Sequence, residues 1–281
     1  MPRSLPGLAL AVLLASAPVP AAAELWAGAA AGGGWDSNVN LGVSGTTNVP
    51  AGFGFAEAHG GAGLGLGEWG ELSLELAWDS THYFDLGDLD LHRPSAIAAF
   101  AVDLGPSLRL RLTGEGGLRI AADPDRRGWD ASAGLHLRYR PHPRLGLRAA
   151  AVGTRREARD PSYSGDSLRL KGGAEVRFGE DTWLSGGYQV DLGDATVSTA
   201  ASTGTGSGGG AGRGQGRMTS SYGVALVSER VTAAVHAVTG SLTVPLGAGF
   251  AVELAAAHSW IRARTMTGQA TSATGSILWS Y

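Results

Sequence analysis

Cysteine is absent from the chain. No disulfide framework, thiolate metal site or cysteine nucleophile is therefore available, nor is the cysteine on which a lipoprotein anchor is built. Charge is scarce as well. Asp, Glu, Lys and Arg together make up 17% of the residues, and 22 basic against 25 acidic residues leave a net charge of −3. A nucleic-acid binder needs a strong positive field, so no nucleic-acid partner is expected. Long apolar runs are also missing. Beyond the N-terminal region nothing approaches the roughly 20 consecutive apolar residues of a membrane-spanning helix. A chain that crosses a membrane without helices must form a closed barrel, because lipid offers no partner to free backbone N–H and C=O groups.

The first 23 residues read as a secretory signal peptide. Arg3 supplies the positive start, Leu8 to Leu14 a short apolar core, and Ala21-Ala22-Ala23 the small residues that signal peptidase reads, so cleavage is expected before Glu24. Pro18 and Pro20 interrupt any longer helix. A secreted precursor bound for the bacterial outer membrane is the expectation, with the barrel occupying 24–281.

The remaining sequence alternates with a period of two, which puts odd and even residues on opposite faces of a strand. In 71–83, Leu72, Leu74, Leu76 and Trp78 share one face, and Glu71, Ser73, Glu75 and Asp79 the other. Similar alternation marks 108–121, 131–140, 145–156, 167–178 and 250–261, and weaker glycine-rich strands are expected at 24–35, 52–66, 95–104, 183–193, 231–246 and 269–281. The fold class is therefore all-β: a transmembrane antiparallel up-and-down barrel of twelve strands, apolar face to lipid and polar face to the lumen. The segment 194–230, with its glycine- and serine-rich run 202–210, reads as a long flexible extracellular loop. Weak alternation at Val197 and in 222–227 suggests that the two flanking strands extend as a hairpin above the membrane, and leaves fourteen spanning strands as an alternative.

Short and long connections alternate strictly. Tight turns at 67–70, 105–107, 141–144, 179–182 and 247–249 separate longer polar loops at 36–51, 84–94, 122–130, 157–166, 194–230 and 262–268, the asymmetry of short periplasmic turns and long extracellular loops. Aromatic residues gather at membrane interfaces. Trp26, Trp69, Trp183, Trp279 and Tyr281 fall at the expected periplasmic ends, and Trp35, Trp78, Trp129 and Trp260 at or near the extracellular ends, as an interface girdle. The chain finishes Ile277-Leu278-Trp279-Ser280-Tyr281. Alternate apolar residues ending on an aromatic resemble the signal read by the barrel-assembly machinery, which is then an expected partner together with outer-membrane lipid and lipopolysaccharide.

At Gly34-Trp35-Asp36-Ser37-Asn38-Val39-Asn40 the first strand runs into its loop. This resembles the strand-one signature, Gly-aromatic-Asp-Ser-Asn, of many uncharacterised Gram-negative outer-membrane barrels, some related to the barrels of surface lipoprotein assembly modifiers. The resemblance implies a porin-like barrel. Read physically, Asp36, Ser37, Asn38 and Asn40 are turn formers.

Parity assigns a basic wall to the lumen: Arg109, Arg111, Arg119, Arg138, Arg140, Arg148, Arg169, Lys171 and Arg177. Carboxylates at Glu71, Glu75, Asp79 and Glu253 come from other strands, with Glu115 and Glu175 among the arginines. Such a lumen suits a passive channel for small hydrophilic solutes. The same ions could instead pair and close a narrow barrel, giving a structural, adhesive or assembly-related protein with working loops. A lipid-modifying enzyme is the third reading, since Ser80, His82 and His258 fall on lipid-facing parities. Strands three and eleven are not neighbours, however, and no third orienting group is evident, so no catalytic residue is assigned. No metal-ligand spacing occurs among the histidines. The glycines of 60–67 lie within a strand rather than before a helix, so no dinucleotide cofactor is implied and no cofactor is expected.

Overall fold

The computed structural model describes residues 23–43, 48–67, 70–179, 181–200, 217–219, 226–264 and 266–281. The expected signal peptide, apart from Ala23, lies outside the described residues, as do Trp69 and the low-complexity run 202–210.

The first half of the chain forms β1 (Ala23–Asp36), β2 (Ala51–Gly65), β3 (Glu71–Tyr83), β4 (Leu91–Gly105), β5 (Leu108–Ala121) and β6 (Gly128–His142). The second half forms β7 (Leu145–Ala158), β8 (Gly165–Phe178), β9 (Thr182–Ala200), β10 (Arg217–Thr219), β11 (Leu226–Gly247), β12 (Phe250–Ala263) and β13 (Met266–Ser280). All pairings are antiparallel between chain neighbours, except that β9 pairs with β11 and β13 pairs with β1. Those two ladders close the sheet. The three residues of β10 pair only with the extracellular tip of β11, Arg217 opposite Ser228, so β10 is no part of the wall. The wall has twelve strands, and the fourteen-strand alternative is not what the described residues form.

Closure explains why 13 to 15 residues suffice for most strands. A tilted strand crosses the hydrocarbon in about 9–11 residues, leaving a short margin at each end. β9 and β11 run further and stay paired to Leu226 opposite Ala200. Residues 194–200 and 226–230, within the expected loop, are therefore strand, the hairpin extension that the weak alternation suggests. The inner face of this extension carries Val197, which is fully buried.

The polarity is inside-out. Leu76, Leu254 and Ile277 are each more than half exposed on the outer face, with Leu72, Leu74, Leu112, Leu135 and Leu184 in the same band. Fully buried large side chains are few, chiefly Ile261, Val197 and Asn38. The tightest periplasmic turn is Gly247-Ala248-Gly249, with φ of 91°, 51° and 79°. Three successive left-handed residues tolerate no β-branched side chain, and only alanine breaks the run of glycine. On the extracellular side Asp123 and Asp160 each precede a proline and accept a backbone hydrogen bond two residues on, from Asp125 at 2.9 Å and Ser162 at 2.8 Å, which starts a single helical turn.

Candidate functional site

The ladder register stacks lumen-facing cations into rows. Arg109 on β5 is directly opposite Arg138 on β6, and Arg138 is directly opposite Arg148 on β7. One row higher, Arg111 is opposite His136, His136 opposite Ala150, and Ala150 opposite Lys171 on β8. Like charges placed opposite one another destabilise a sheet by roughly 0.2–1 kcal/mol per pair. Three adjacent arginines are thus a cost that folding alone does not require.

Part of this charge is compensated. Glu175 on β8 is 3% exposed and receives Arg138 at 2.9 Å, Arg140 at 3.6 Å and Arg148. One carboxylate thus holds three guanidiniums. Arg140 and Arg177 also lie over the ring of Trp183, at 5.8 and 5.9 Å, a cation–π arrangement. Arg177 pairs with Asp181 at 2.8 Å, Arg109 with Glu71 at 2.6 Å and Asp103 at 3.7 Å, and Arg169 with Asp191. Among the described residues Arg111 and Lys171 have no ion-pair partner. They line a lumenal cavity of about 660 Å³ together with Arg109, His136, Arg138 and Arg148. Glu175→Gln leaves the three arginines facing one another. They are partly hydrated by the lumen, so the expected loss is about 1–2 kcal/mol of folding stability, read as a lower urea midpoint for unfolding in detergent.

The neighbouring wall, β2 to β5, carries most of the other carboxylates. A second cavity, about 290 Å³, is lined by Glu57, His59, Glu75, Asp79, Arg93 and Glu115. Arg93 on β4 reaches Glu115 at 2.5 Å, Asp130 at 2.6 Å and Asp79 at 3.5 Å. Arg119 lies 3.9 Å from Asp130. Glu253 accepts a hydrogen bond from the Thr243 hydroxyl at 3.1 Å. Arg93 and Asp130 were not among the expected lumen residues. Both sit at strand ends, one or two residues beyond the expected bounds of 95–104 and 131–140. Extending the parity of Ser95 and Ser132 by one step would have found them. Asp191 and Arg156, the latter opposite Asp130, lay inside expected strands and were legible by the same parity.

The described residues of the first loop, 37–43 and 48–50, narrow the extracellular mouth. Asn38 and Asn40 are buried, at 0% and 1% exposure. The Asn38 side chain donates to the carbonyls of Gly42 at 3.2 Å and Gln269 at 2.8 Å, and accepts from the Gly42 amide at 2.7 Å. Asn40 accepts from the Val49 amide at 2.9 Å. Leu41 is held at φ 47°, a left-handed turn that tips the loop inward. Val43 then packs against Val197, Ala233, Ile261 and Ala263 from the inner faces of β9, β11 and β12. Val39 and Val49 pack against a second cluster of Ala51, Leu86 and Leu89. The turn formers of the strand-one signature thus pin a loop inside the mouth.

With this geometry in view, the comparisons with known proteins follow. The family model of the outer membrane protein beta-barrel domain matches residues 7–203. The chain belongs to this family. Among solved structures, this outer-membrane barrel is similar to an outer membrane channel from Pseudomonas putida F1, with a TM-score of 0.60 at 8% identity over 94% of this chain and 97% of that one. It is also similar to the KdgM porin in complex with disordered oligogalacturonate, with a TM-score of 0.47 at 9% identity over 90% of this chain and 99% of that one. No curated protein matches the sequence.

The outer wall of the barrel-domain protein carries the aromatic residues only in part. Trp35, Trp78, Trp129 and Trp279 are all more than one-third exposed on the lipid-facing parity, Trp260 shares that parity, and Tyr281 follows the last strand. Two expected girdle residues face the other way. Trp26 lies opposite Gly61, and a Cβ on Gly61 or Gly63 would meet its ring at 2.5 or 3.2 Å. Trp183 lies opposite Arg177 and Thr243. Both rings occupy the periplasmic end of the lumen. The physical reason is local: the two glycines leave room for one ring, and two arginines cover the other. Neither signal is visible from position along a strand alone.

Ser80 and His82 lie on the lipid-facing parity, but they do not pair. The Ser80 hydroxyl bonds His92 Nδ1 at 2.9 Å, across the β3–β4 ladder, and His92 stacks on Trp78 with centroids 5.9 Å apart. His82 Nδ1 is engaged by Asp90. His258 bonds Thr271 on β13.

Proposed function

We propose that this outer-membrane barrel is a passive, porin-like channel for small hydrophilic solutes, with a basic wall that favours anions. One observation carries the reading: two successive rows, Arg109–Arg138–Arg148 and Arg111–His136–Ala150–Lys171, place five cations around a lumenal cavity of about 660 Å³. A charge-packed interior would neutralise its ions. Here Glu71 of β3 reaches Arg109 and the other β3 carboxylate near a cation, Asp79, lies by Arg93, while Arg111 and Lys171 keep their charge facing open volume. Fixed charge beside confined water raises the local concentration of counter-ions and lowers the barrier to their passage.

Planar-bilayer recording of the refolded barrel tests this. A stable open level is expected, altered in size and in anion preference by Arg138→Ala with Arg140→Ala. Absence of conductance in every preparation overturns the channel.

In the same reading the protein is not an enzyme. Ser80 bonds His92, but no carboxylate orients His92 among the described contacts, and Asp90 engages His82 instead. No set of oxyanion donors accompanies them among the described contacts. Ser80→Ala is expected to leave lipid acyl composition unchanged, as mass spectrometry of membranes from producing cells would read. Cleavage before Glu24 yields the mature chain, a reading supported by the small residues Ala21 to Ala23. The barrel-assembly machinery engages the terminal strand, β13, whose final residues alternate into Tyr281.

A further inference from the structure

The outer wall holds a patch that the channel reading leaves unused. His236 on β11 lies directly opposite Trp260 on β12, and their rings stack at 5.6 Å with an 8° interplanar angle. Tyr188 and His258 complete the group, 6.4 and 6.0 Å from the Trp260 ring. One row towards the extracellular side, Arg262 projects from the same face. Among the described residues no carboxylate pairs with His236, His258 or Arg262. The nearest outward carboxylate by register, Asp194, stands two strands away and accepts from the Asp166 amide and the Thr232 hydroxyl.

Each imidazole is anchored by a hydroxyl. Tyr188 Oη bonds His236 Nδ1, and Thr271 Oγ1 bonds His258 Nδ1 at 2.8 Å. In the tautomer where the hydroxyl donates into Nδ1, the ring carries its proton on Nε2 and that N–H is free to donate.

Depth places the patch. Phe250 lies opposite Trp279 near the periplasmic end. Trp260 is ten residues further along β12. At about 3.3 Å per residue on a strand tilted roughly 40°, that is a rise of about 25 Å, the height of the apolar band of such barrels. Leu254 and Leu242 stand below, on the same face. The patch therefore sits where hydrocarbon gives way to the headgroups of the outer leaflet.

We propose that His236, His258 and Arg262, arranged around Trp260, bind a phosphate of the outer-leaflet glycolipid, lipopolysaccharide. Charge complementarity selects the occupant. The patch offers a guanidinium and two N–H donors, presents no acid of its own, and lies against an aromatic shelf at phosphate height. A membrane-facing cation contributes about 1 kcal/mol to the binding of anionic lipid. The inference is independent of whether the lumen conducts.

The test uses the full barrel in detergent with purified lipopolysaccharide as probe, binding read by native mass spectrometry. The triple variant His236→Ala, His258→Ala, Arg262→Ala is expected to bind about tenfold more weakly. Dephosphorylated lipopolysaccharide should lose a similar factor on the unaltered protein, with no further loss on the variant. Equal binding by the variant overturns the site, and so does equal binding of the dephosphorylated lipid. Should the triple variant fail to refold, judged by loss of heat-modifiable migration, Arg262→Gln alone carries the test. It leaves the aromatic stack intact, and about fivefold weakening is expected.

Discussion

Replacing Arg111 and Lys171 together by glutamate is expected to turn an anion-favouring channel into a cation-favouring one. Neither cation has an ion-pair partner among the described residues, so no existing bridge has to break. The substitution changes the lumen charge by four units. At 7 Å in a water-like dielectric, one unit charge acts on a passing ion with about 0.6 kcal/mol. Four units then amount to about 2.4 kcal/mol before screening, acting in opposite senses on anions and cations. Salt removes part of this, and a change of at least about tenfold in the permeability ratio remains. The reversal potential under a salt gradient reads it directly and should change sign. An unchanged sign would mean that solutes do not pass the Arg111–His136–Lys171 row. The neutral pair Arg111→Gln and Lys171→Gln should fall between, with weak preference for either sign, because the Arg109–Arg138–Arg148 row remains partly held by Glu175 and Glu71.

The barrel itself was legible because lipid imposes the simplest of patterns. An outward leucine such as Leu74 or Leu254 must alternate with an inward polar residue, and the pattern survives any detail of packing. Strand ends were less legible. Arg93 and Asp130 lie one or two residues beyond the clear apolar alternation of their strands, while the outer thirds of β9 and β11 show only the weak alternation of Val197 and 222–227. The girdle was read from position along the chain, and Trp26 and Trp183 show the limit of that. An aromatic at the right height can turn inward when glycines opposite it, here Gly61 and Gly63, vacate the lumen wall. Loop one was read as ordinary turn chemistry. Its asparagines do form turns, but their burial depends on Gln269, more than two hundred residues away in sequence. A contact of that range leaves no local trace.

That contact sets up the second large effect. Val43→Asp is expected to release loop one from the mouth and raise the single-channel conductance. Val43 is 3% exposed against Val197, Ala233, Ile261 and Ala263, with no cation in that cluster. An unpaired carboxylate buried there would cost several kcal/mol. A loop docked by two small apolar clusters and a few side-chain hydrogen bonds, each worth about 1 kcal/mol, cannot hold against that. The barrel can, since the pairing that closes its ladder does not depend on the docking. The chain should therefore keep its heat-modifiable migration while loop one becomes a protease site from the extracellular side. Conductance should rise with ion preference nearly unchanged, because the cation rows lie deeper in the lumen, on β5 to β8. Asn38→Ala should produce the same change in smaller degree. It strips the hydrogen bonds to Gly42 and Gln269 but leaves Val43 free to dock. Conductance that stays the same while protease reaches loop one would show that the narrowest point lies below the mouth. It would then fall at the level where Arg93 gathers Asp79, Glu115 and Asp130.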